Sequence, residues 1–576
     1  MNARETYEFW MTDSYFDEET KSELRGIANK EEEIEERFCK DLEFGTGGLR
    51  GIMGAGTNRM NLYTIRRATQ GLANYILKEG QEKKGVAIAY DSRNKSREFA
   101  EEAALCLAAN KIRAHIFPTL KPTPMLSFAL RELGCIAGIV VTASHNPPEY
   151  NGYKVYWEDG AQITAPKDQE IIREVKAITD FSLVKTTTRQ EAEKDGLYQV
   201  IPSEIDKKYI EELKKLVLSP QILREEAENL RIVYTPLHGS GNLPVREILK
   251  ELGFTQVYVV KEQELPDGNF PTVSYPNPEE EQAFALGLKL AKEVDADLVL
   301  ATDPDADRLG MYAKDIKTGG YKKFTGNMSG MLILEYILSR KKEMGILPEH
   351  GAVVTTIVSG KMGREIAKAY HADLVETLTG FKYIGEQIKF FEKNRDHTYL
   401  FGYEESYGCL VGTYARDKDA VVAVMALCEA AAWCRHQGIT LCDQMEKLFQ
   451  TYGYYKESLF TVTQKGQEGA RRIQEMMEGI RSQVPVQIGS LTVTQFRDYQ
   501  EGIWIDCSTQ GRRPTGLPKS NVLYFELEDQ SWCCIRPSGT EPKIKYYVGV
   551  KGEDEKDAER KLEGLADALL GGAMAL

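Results

Sequence analysis

The chain repeats one pattern of predicted structure three times: a strand, a helix, a strand, a helix, and a further strand that leads into a polar loop. The three copies span residues 86–141, 231–301 and 352–401. Each copy is typical of a βαβαβ unit, and such units build a mostly parallel sheet covered by helices. The sequence therefore predicts an α/β protein with three similar mixed-sheet domains.

The ends of the chain complete the predicted domain plan. At 576 residues the chain is too long for a single hydrophobic core. The first forty or so residues, with an acidic run at 31–36, indicate helices on the outside of the first domain. After residue 452, predicted helices at 471–480 and 554–570 flank several strand-like runs, which favours a smaller α+β domain. We predict four domains, at 1–205, 206–325, 326–451 and 452–576.

Composition narrows the class of protein. With 42% hydrophobic and 28% charged residues the chain is typical of soluble globular proteins, and a net charge of -14 argues against nucleic acid or an acidic membrane as partner. The first residues lack the apolar core of a signal peptide, and no apolar run is long enough to span a membrane, so we expect a cytoplasmic location. Ten cysteines without a Cys-x-x-Cys pair predict neither a disulfide framework nor a zinc site, and adjacent Cys533 and Cys534 are expected to be buried thiols.

The loop after the first repeat, Thr-Ala-Ser-His-Asn-Pro-Pro at 142–148, offers a nucleophile. Ligands of open α/β sheets bind at the carboxyl ends of strands, and Ser144 stands at such an end. His145 and Lys154 could neutralise an anion there. The alternative is an ordinary turn in which Ser144 or Asn146 caps the next element.

The loop after the second repeat predicts a magnesium site. Asp303, Asp305 and Asp307 alternate directly after a strand and supply the hard oxygen ligands that Mg²⁺ prefers. A calcium-binding EF-hand is disfavoured, because Arg308 and Lys314 stand where that loop requires Gly and Glu. The alternative is a surface turn with solvated carboxylates.

Charge arithmetic shows that this loop needs cations if it is to meet an anion. A divalent ion with three carboxylates has a net charge of -1, and a phosphate of about -2 would bring the total to roughly -3. The candidate cations are Arg308, His145, Lys154 and Arg50. Arg50 lies in a glycine-rich run at 41–51 that could come close to a ligand or could simply be a flexible connection.

The two remaining loops offer contacts for a sugar and for a second phosphate. Glu404, Glu405 and Ser406 could bind sugar hydroxyls with Lys382 nearby, although paired glutamates usually face solvent. The run at 536–543 combines a guanidinium, hydroxyls, a glycine and an amine, which suits a phosphate better than a plain β-turn does. Its candidate ligands are Arg536, Ser538, Gly539, Thr540 and Lys543.

Taken together and in this order, the four loops resemble those of the α-D-phosphohexomutases, which include phosphoglucomutases and phosphomannomutases. The resemblance implies a heart-shaped arrangement of the four domains around a central cleft. It also implies that Ser144 is phosphorylated and binds Mg²⁺ together with the three aspartates. The other implied roles are proton exchange with the sugar for Lys154, contacts around the transferred group for Arg50, His145 and Arg308, sugar contacts for Glu404, Ser406 and Lys382, and weaker ligand contact for His238.

The implied reaction transfers the phosphoryl group of Ser144 to a sugar monophosphate and recovers it from the other end of the resulting bisphosphate. Our first expectation is interconversion of glucose 1-phosphate and glucose 6-phosphate, primed by glucose 1,6-bisphosphate, in a monomer or weak dimer. Tyr403 stands where better-known phosphoglucomutases carry glycine, as in a branch that includes phosphopentomutases, so ribose or deoxyribose 1-phosphate is the alternative, with mannose behind it. A metal-dependent phosphomonoesterase and a non-catalytic sugar-phosphate sensor are the alternatives from other classes.

Overall fold

The computed structural model describes residues 2–44, 48–464, 466–538 and 543–571. The chain forms two compact units. The first comprises the residues up to Ile333 together with Phe381–Leu441, and the second comprises Leu334–Gly380 with Cys442–Leu576. Each unit has a hydrophobic core of its own.

Short helices precede the first sheet, as the sequence predicted. Trp10 is fully buried among aromatic rings, with its indole stacked on Phe16 at 4.2 Å and edge-on to Tyr63 at 5.4 Å. Asn2 caps the first helix by accepting from the backbone N–H of Glu5. The helices are α1 (Ala3–Thr12), α2 (Glu18–Arg25) and α3 (Glu31–Phe38).

The first sheet has the order β1-β5-β4-β2-β3-β6. Strands β4, β2, β3 and β6 are parallel to one another, whereas β5 lies between β4 and β1 and runs antiparallel to both. This register places Lys154 of β5 opposite Val140 of β4 and Gly48 of β1, beside the end of the strand that leads to Ser144. The elements are β1 (Gly48–Ile52), α4 (Leu62–Lys78), β2 (Val86–Tyr90), α5 (Ser96–Ala109), β3 (Ala114–Ile116), α6 (Thr123–Glu132), β4 (Ala137–Val141), β5 (Tyr150–Trp157), α7 (Lys167–Ala177), α8 (Arg189–Lys194), β6 (Tyr198–Val200) and α9 (Glu204–Lys214).

The second sheet has the order β11-β10-β9-β7-β8, with β7 parallel to both β8 and β9. Strand β9 is buried throughout, and its carboxyl end leads into the aspartate loop. The elements are α10 (Pro220–Glu226), β7 (Ile232–Thr235), α11 (Asn242–Glu251), β8 (Val257–Val259), α12 (Lys261–Glu264), α13 (Ala285–Val294), β9 (Leu298–Thr302), β10 (Leu309–Asp315) and β11 (Gly320–Phe324).

The third α/β region follows the predicted order of elements, and its elements are divided between the two units. In the second unit β12 and β13 pair in parallel, and in the first unit β14 and β15 pair antiparallel. Within the described residues, no helix combines the length and the apolar character that crossing a bilayer requires. The elements are α14 (Gly326–Glu343), β12 (Gly351–Thr356), α15 (Met362–Ala369), β13 (Asp373–Thr377), α16 (Phe381–Asn394), β14 (Thr398–Tyr403), β15 (Cys409–Val411), α17 (Ala420–His436) and α18 (Leu441–Tyr452).

The last part of the chain is the predicted α+β region. Its antiparallel sheet has the order β16-β23-β22-β21-β18-β19-β20, with β17 paired to β18. Cys533 and Cys534 are buried in this sheet, as predicted. The elements are β16 (Tyr454–Thr463), α19 (Gly466–Ser482), β17 (Gln487–Ile488), β18 (Leu491–Asp498), β19 (Ile503–Asp506), β20 (Arg512–Pro514), β21 (Leu523–Leu527), β22 (Trp532–Pro537), β23 (Lys543–Gly552) and α20 (Glu555–Gly571).

The contact between α4 and α7 gives a test of packing in the first unit. A methyl group added at Gly71 would lie 2.3 Å from Cγ2 and 2.8 Å from Cα of Val175. We therefore expect Gly71→Ala to lower the thermal unfolding midpoint, because overpacking costs about 1–3 kcal/mol while alanine returns about 1 kcal/mol of helix propensity.

The matched control is Gly479→Ala in α19, where the added methyl group meets nothing within 4 Å. This variant should unfold at the same temperature as the unmodified chain or slightly higher. Equal effects of the two substitutions in thermal scans would show that the α4–α7 contact is not close-packed.

Candidate active site

Ser144 stands just beyond the end of β4 in a left-handed backbone conformation, with φ of 51°. Its side chain is buried, and its Oγ donates a hydrogen bond of 2.7 Å to Oδ2 of Asp303. Nδ1 of His145 lies 3.2 Å from the same Oγ. The predicted nucleophile and the first predicted metal ligand are therefore in direct contact.

Asp303, Asp305 and Asp307 are buried, and one oxygen from each lies within 4.8 Å of the others. The backbone N–H groups of Asp307 and Arg308 donate to Oδ1 of Asp303, which holds the loop in a tight turn. Oδ1 of Asp305 and Oδ1 of Asp307 are buried and accept no hydrogen bond from the described part of the chain. Buried carboxylate oxygens left without donors suit a hard divalent cation such as Mg²⁺, so the residues present fit the metal that the sequence predicted.

Lysine side chains neutralise part of this negative charge. Nζ of Lys154 lies 2.9 Å from Oδ2 of Asp305 and 3.4 Å from Oδ2 of Asp307, and Nζ of Lys418 lies 3.1 Å from the latter atom. Burial alone would raise the pKa of Asp307, but Lys418 and Lys154 outweigh it and hold that pKa below its usual range. Burial, with the charges of Asp305 and Asp307, raises the pKa of Asp303 well above its usual range. The cluster thus retains an unmet demand for positive charge.

The other predicted cations surround the Ser144 loop less directly. Arg308 donates from Nη1 to Oε1 of Glu279 at 2.5 Å and lies 3.8 Å from Oδ1 of Asp307. Arg50 is exposed on β1 and donates from Nη1 to Oδ1 of Asn146 at 3.3 Å.

His145 does not fit its predicted role as a positive charge. Burial, together with the nearby charges of Arg308 and Arg50, lowers the pKa of His145 well below its usual range. A neutral imidazole is favoured at this position.

The predicted sugar loop joins β14 to β15 in the first unit. Glu404 is buried, and its backbone N–H donates to the carbonyl of Gly408 at 2.9 Å, while Glu405 and Ser406 are partly exposed. Burial alone would lower the pKa of Lys418, but the charges of Asp307, Asp417 and then Glu404 outweigh it and raise that pKa, so the Glu404 carboxylate belongs to the same electrostatic cluster. Nζ of Lys382 lies 4.9 Å from the centre of the Tyr383 ring at the start of α16.

Tyr403 and His238 are placed away from such a ligand role. Tyr403 is fully buried, stacks on Phe401 at 5.7 Å, and packs where a methyl group on Gly330 would lie 2.9 Å from its ring. The ring nitrogens of buried His238 lie 3.1 Å from the carbonyl of Leu265 and 3.0 Å from Oγ1 of Thr272. Both side chains are therefore in the interior, and the ring nitrogens of His238 are already engaged by protein groups.

The candidate phosphate residues belong to the second unit. Arg536 is on β22 in register with Lys545 of β23, and the backbone N–H of Ser538 donates to the carbonyl of Lys543 at 2.8 Å. Arg536, Ser538 and Lys543 thus lie at one end of a β-hairpin. Gly539 and Thr540 lie outside the described residues.

Comparison with known protein families identifies the chain. Sequence models of the phosphoglucomutase/phosphomannomutase alpha/beta/alpha domains I, II and III match residues 41–181, 207–319 and 325–452. The chain belongs to this family of α-D-phosphohexomutases. The resemblance inferred from the four loops and the predicted α/β class are both confirmed.

Relatives and solved structures of the family agree with this assignment. The chain is 36% identical to proteins named phosphoglucomutase from Staphylococcus epidermidis and Staphylococcus aureus, over 94% of this chain and 96% of each relative. Its fold is similar to that of a family protein from Burkholderia thailandensis, with a TM-score of 0.65 and 18% identity over 92% of this chain and 97% of the other. Parafusin, a phosphoglucomutase from Paramecium solved in an open form, gives a TM-score of 0.66 and 17% identity over 92% and 94%.

Sequence reasoning missed two side chains that this phosphohexomutase brings to the aspartates. Lys418 precedes α17, and Thr123 at the start of α6 donates from Oγ1 to Oδ2 of Asp305 at 2.8 Å. Both are distant in sequence from the loop they contact, so no local pattern connects them to it. The closely spaced charges at 416–419, directly before a long apolar helix, are the signal that could have pointed to Lys418.

Lys418 gives a test of the electrostatic arrangement in this family member. We expect Lys418→Met to tighten the binding of Mn²⁺ or Mg²⁺, because removing a cation 3.1 Å from Asp307 makes the cluster more negative. At an effective dielectric constant near 20, two cations a few ångströms apart repel by several kcal/mol, so the gain in metal affinity should be at least about tenfold. Isothermal titration calorimetry on the intact chain measures it.

The control is Lys314→Met. Nζ of Lys314 lies 2.5 Å from Oδ1 of Asp295, which is an exposed residue. Its metal affinity should match that of the unmodified protein. Weaker metal binding in Lys418→Met would contradict the arrangement, since it would mean that the lysine supports the cation instead of opposing it.

Proposed function

We propose that the chain is a phosphoglucomutase that interconverts glucose 1-phosphate and glucose 6-phosphate through a phosphorylated Ser144. The observation that carries the proposal is the 2.7 Å contact between Oγ of Ser144 and a buried aspartate of a metal-fitting triad. A serine hydroxyl beside a hard-cation site is the arrangement that phosphoryl transfer requires. The similarity to proteins named phosphoglucomutase over nearly the whole chain supports glucose as the sugar.

In this reaction the bond between phosphorus and Oγ of Ser144 breaks while a bond forms between phosphorus and a hydroxyl oxygen of the sugar monophosphate. The sugar hydroxyl loses a proton and Oγ of Ser144 gains one, and Lys154 is the proposed carrier, which gives its proton to Oγ and takes the proton of the sugar hydroxyl in its place. Arg308 and Arg50 would stabilise charge on the transferred group. Mg²⁺ held by Asp303, Asp305, Asp307 and Ser144 would place positive charge beside the phosphoryl oxygens.

A mutase also needs a binding site for the phosphate group that does not react. We assign this role to the hairpin of the second unit, with Arg536, Ser538, Gly539, Thr540 and Lys543 as its ligands. The bisphosphate formed in the first step must turn end over end so that its other phosphate can return to Ser144. Glucose 1,6-bisphosphate should therefore activate an unphosphorylated enzyme.

The sugar itself would meet the loop that contains Glu404 and Ser406, with Lys382 beside it. The pentose alternative comes from the similarity of the loop at Tyr403 to a branch that includes phosphopentomutases, and the Tyr403 side chain itself is buried in the core. A relative in the fold comparison, an N-acetylphosphoglucosamine mutase from Aspergillus fumigatus, was solved with N-acetylglucosamine 6-phosphate and magnesium, and it shares 14% identity and a TM-score of 0.50 with this chain. We therefore keep glucose as the proposed substrate and include other sugars in its test.

The role of Ser144 can be tested by removing its hydroxyl. Ser144→Ala should lower the rate of isomerisation by about a thousandfold or more, because the covalent step then has no nucleophile. The control Ser203→Ala removes an exposed hydroxyl whose side chain makes no capping hydrogen bond at the start of α9, and it should leave the rate unchanged. Full activity of the alanine variant at 144 would end the phosphoserine hypothesis.

The substrate assignment can be tested in one assay series with Mg²⁺ and glucose 1,6-bisphosphate. Glucose 1-phosphate should give the highest kcat/KM, ahead of the mannose, ribose and N-acetylglucosamine esters. Arg536→Ala should raise KM about 10- to 100-fold, as expected for a lost charge-assisted phosphate contact, with a smaller change in kcat.

Phosphate release is followed in the same reactions. Faster turnover of ribose 1-phosphate would overturn the choice of glucose. Phosphate release that outpaces isomerisation would instead indicate a phosphomonoesterase.

A further inference from the structure

A buried guanidinium lies beneath the loop that carries Ser144. Arg93 follows the end of β2, and both its side chain and that of Asp91 are inaccessible to solvent. Its Nη2 donates to the carbonyl of Ser144 at 2.6 Å and to that of Asn146, and its Nη1 donates to the carbonyls of Pro147 at 2.8 Å and Tyr150 at 3.1 Å. One planar fork of donors thus fixes the path of the chain from Ser144 to the start of β5.

The backbone of Ser144 is held from its other side as well. The backbone N–H of Ser144 donates a hydrogen bond of 2.8 Å to Oγ1 of Thr142. The same hydroxyl of Thr142 donates one of 2.6 Å to Oδ2 of Asp91. Nε of Arg93 lies 3.4 Å from Oδ2 of Asp91. The two groups that hold the backbone of Ser144, Arg93 and Asp91, therefore both lie at the end of β2. Because an L-residue seldom adopts the left-handed conformation of Ser144 unaided, these contacts are what keeps it there.

The second α/β region closes over Arg93. The ring of Phe270, which is fully buried, lies 5.0 Å from the guanidinium carbon. Next to it, Nδ2 of Asn94 donates to Oδ1 of Asn269 at 2.9 Å. A methyl group on Gly268 would lie 2.3 Å from the backbone N of Asn94, so the two segments approach as closely as glycine allows. Arg93 therefore contacts both the serine loop and the region that supplies the aspartates.

We propose that Arg93 is a positioning residue for phosphoryl transfer, which sets Oγ of Ser144 against Asp303. The proposal rests on the proposed function of Ser144. Without the fork of donors, the carbonyls from 144 to 150 lose their shared partner and Ser144 can leave its left-handed conformation. A reacting atom displaced by about 1 Å can lose about a hundredfold in rate.

Arg93 differs from a substrate-binding arginine in the groups that its guanidinium contacts. It is buried, and its terminal nitrogens are directed at backbone carbonyls of the loop, so it has no exposed face for an anion. Its removal should therefore lower kcat and leave KM for glucose 1-phosphate nearly unchanged. A merely structural residue would lower the amount of folded enzyme without changing kcat per folded molecule.

The experiment compares Arg93→Met and Arg93→Lys with the control Arg97→Met on the intact chain. Arg97 is an exposed arginine of α5, 3.5 Å from Glu101. The measurements are kcat and KM for glucose 1-phosphate per folded molecule, and the single-turnover rate of phosphoryl transfer from phosphorylated enzyme to glucose 6-phosphate.

We expect kcat and the single-turnover rate to fall about a hundredfold in Arg93→Met and about tenfold in Arg93→Lys, because an amine replaces part of the fork. KM should stay within about threefold in both variants. Arg97→Met should match the unmodified protein. Unchanged kcat in folded Arg93→Met, or a rise in KM alone, would overturn the proposal.

A second variant decides the matter if Arg93→Met fails to fold. Phe270→Leu keeps an apolar side chain over the guanidinium but removes the aromatic ring, and it should lower kcat by about threefold to tenfold with KM unchanged. An unaltered kcat in both Phe270→Leu and Arg93→Lys would overturn the proposal. Failure of the unmodified enzyme to form phosphoserine at 144 would instead refute the proposed function, independently of Arg93.

Discussion

Three buried carboxylates at the end of one strand cannot be held together without positive charge, and this requirement organises the first unit. Lys154 reaches Asp305 and Asp307 from β5 of the first sheet, and Lys418 reaches Asp307 from the segment before α17. Thr123 adds a hydrogen bond from the start of α6. Elements from three α/β regions therefore meet at one loop, and the proposed nucleophile, Ser144, is hydrogen-bonded to the same cluster.

The parts of this arrangement that leave a local pattern could be predicted from the sequence. Runs of apolar residues predicted the strands, and the order strand, helix, strand, helix, strand was confirmed in all three regions. Ser144 and the aspartates could be predicted because they follow buried strands directly, where α/β sheets bind ligands. The spacing of Asp303, Asp305 and Asp307 also predicts a metal site, since alternate residues of a short loop can converge on one ion.

The parts that depend on tertiary contact could not be predicted in the same way. Lys418 meets an aspartate more than a hundred residues earlier in the chain, and no periodicity connects the two. The surroundings of His145 decide its charge, since burial and neighbouring arginines oppose protonation. Tyr403, the last residue of β14, directly precedes the predicted sugar contact Glu404, but its ring is buried in the core against Phe401. Sequence identifies which residue types are present at a site, whereas packing decides which of them face it.

The hydrogen bond from Ser144 to Asp303 has a thermodynamic consequence for the enzyme's resting state. With a free hydroxyl, the serine supplies a proton donor that satisfies one oxygen of Asp303. Phosphorylation of the hydroxyl would remove that donor and bring further negative oxygens against three carboxylates, so the modified form would repel the cluster unless a divalent cation lay between them. By linkage, a phosphate on Ser144 and a cation at the aspartates would each increase the affinity of the protein for the other.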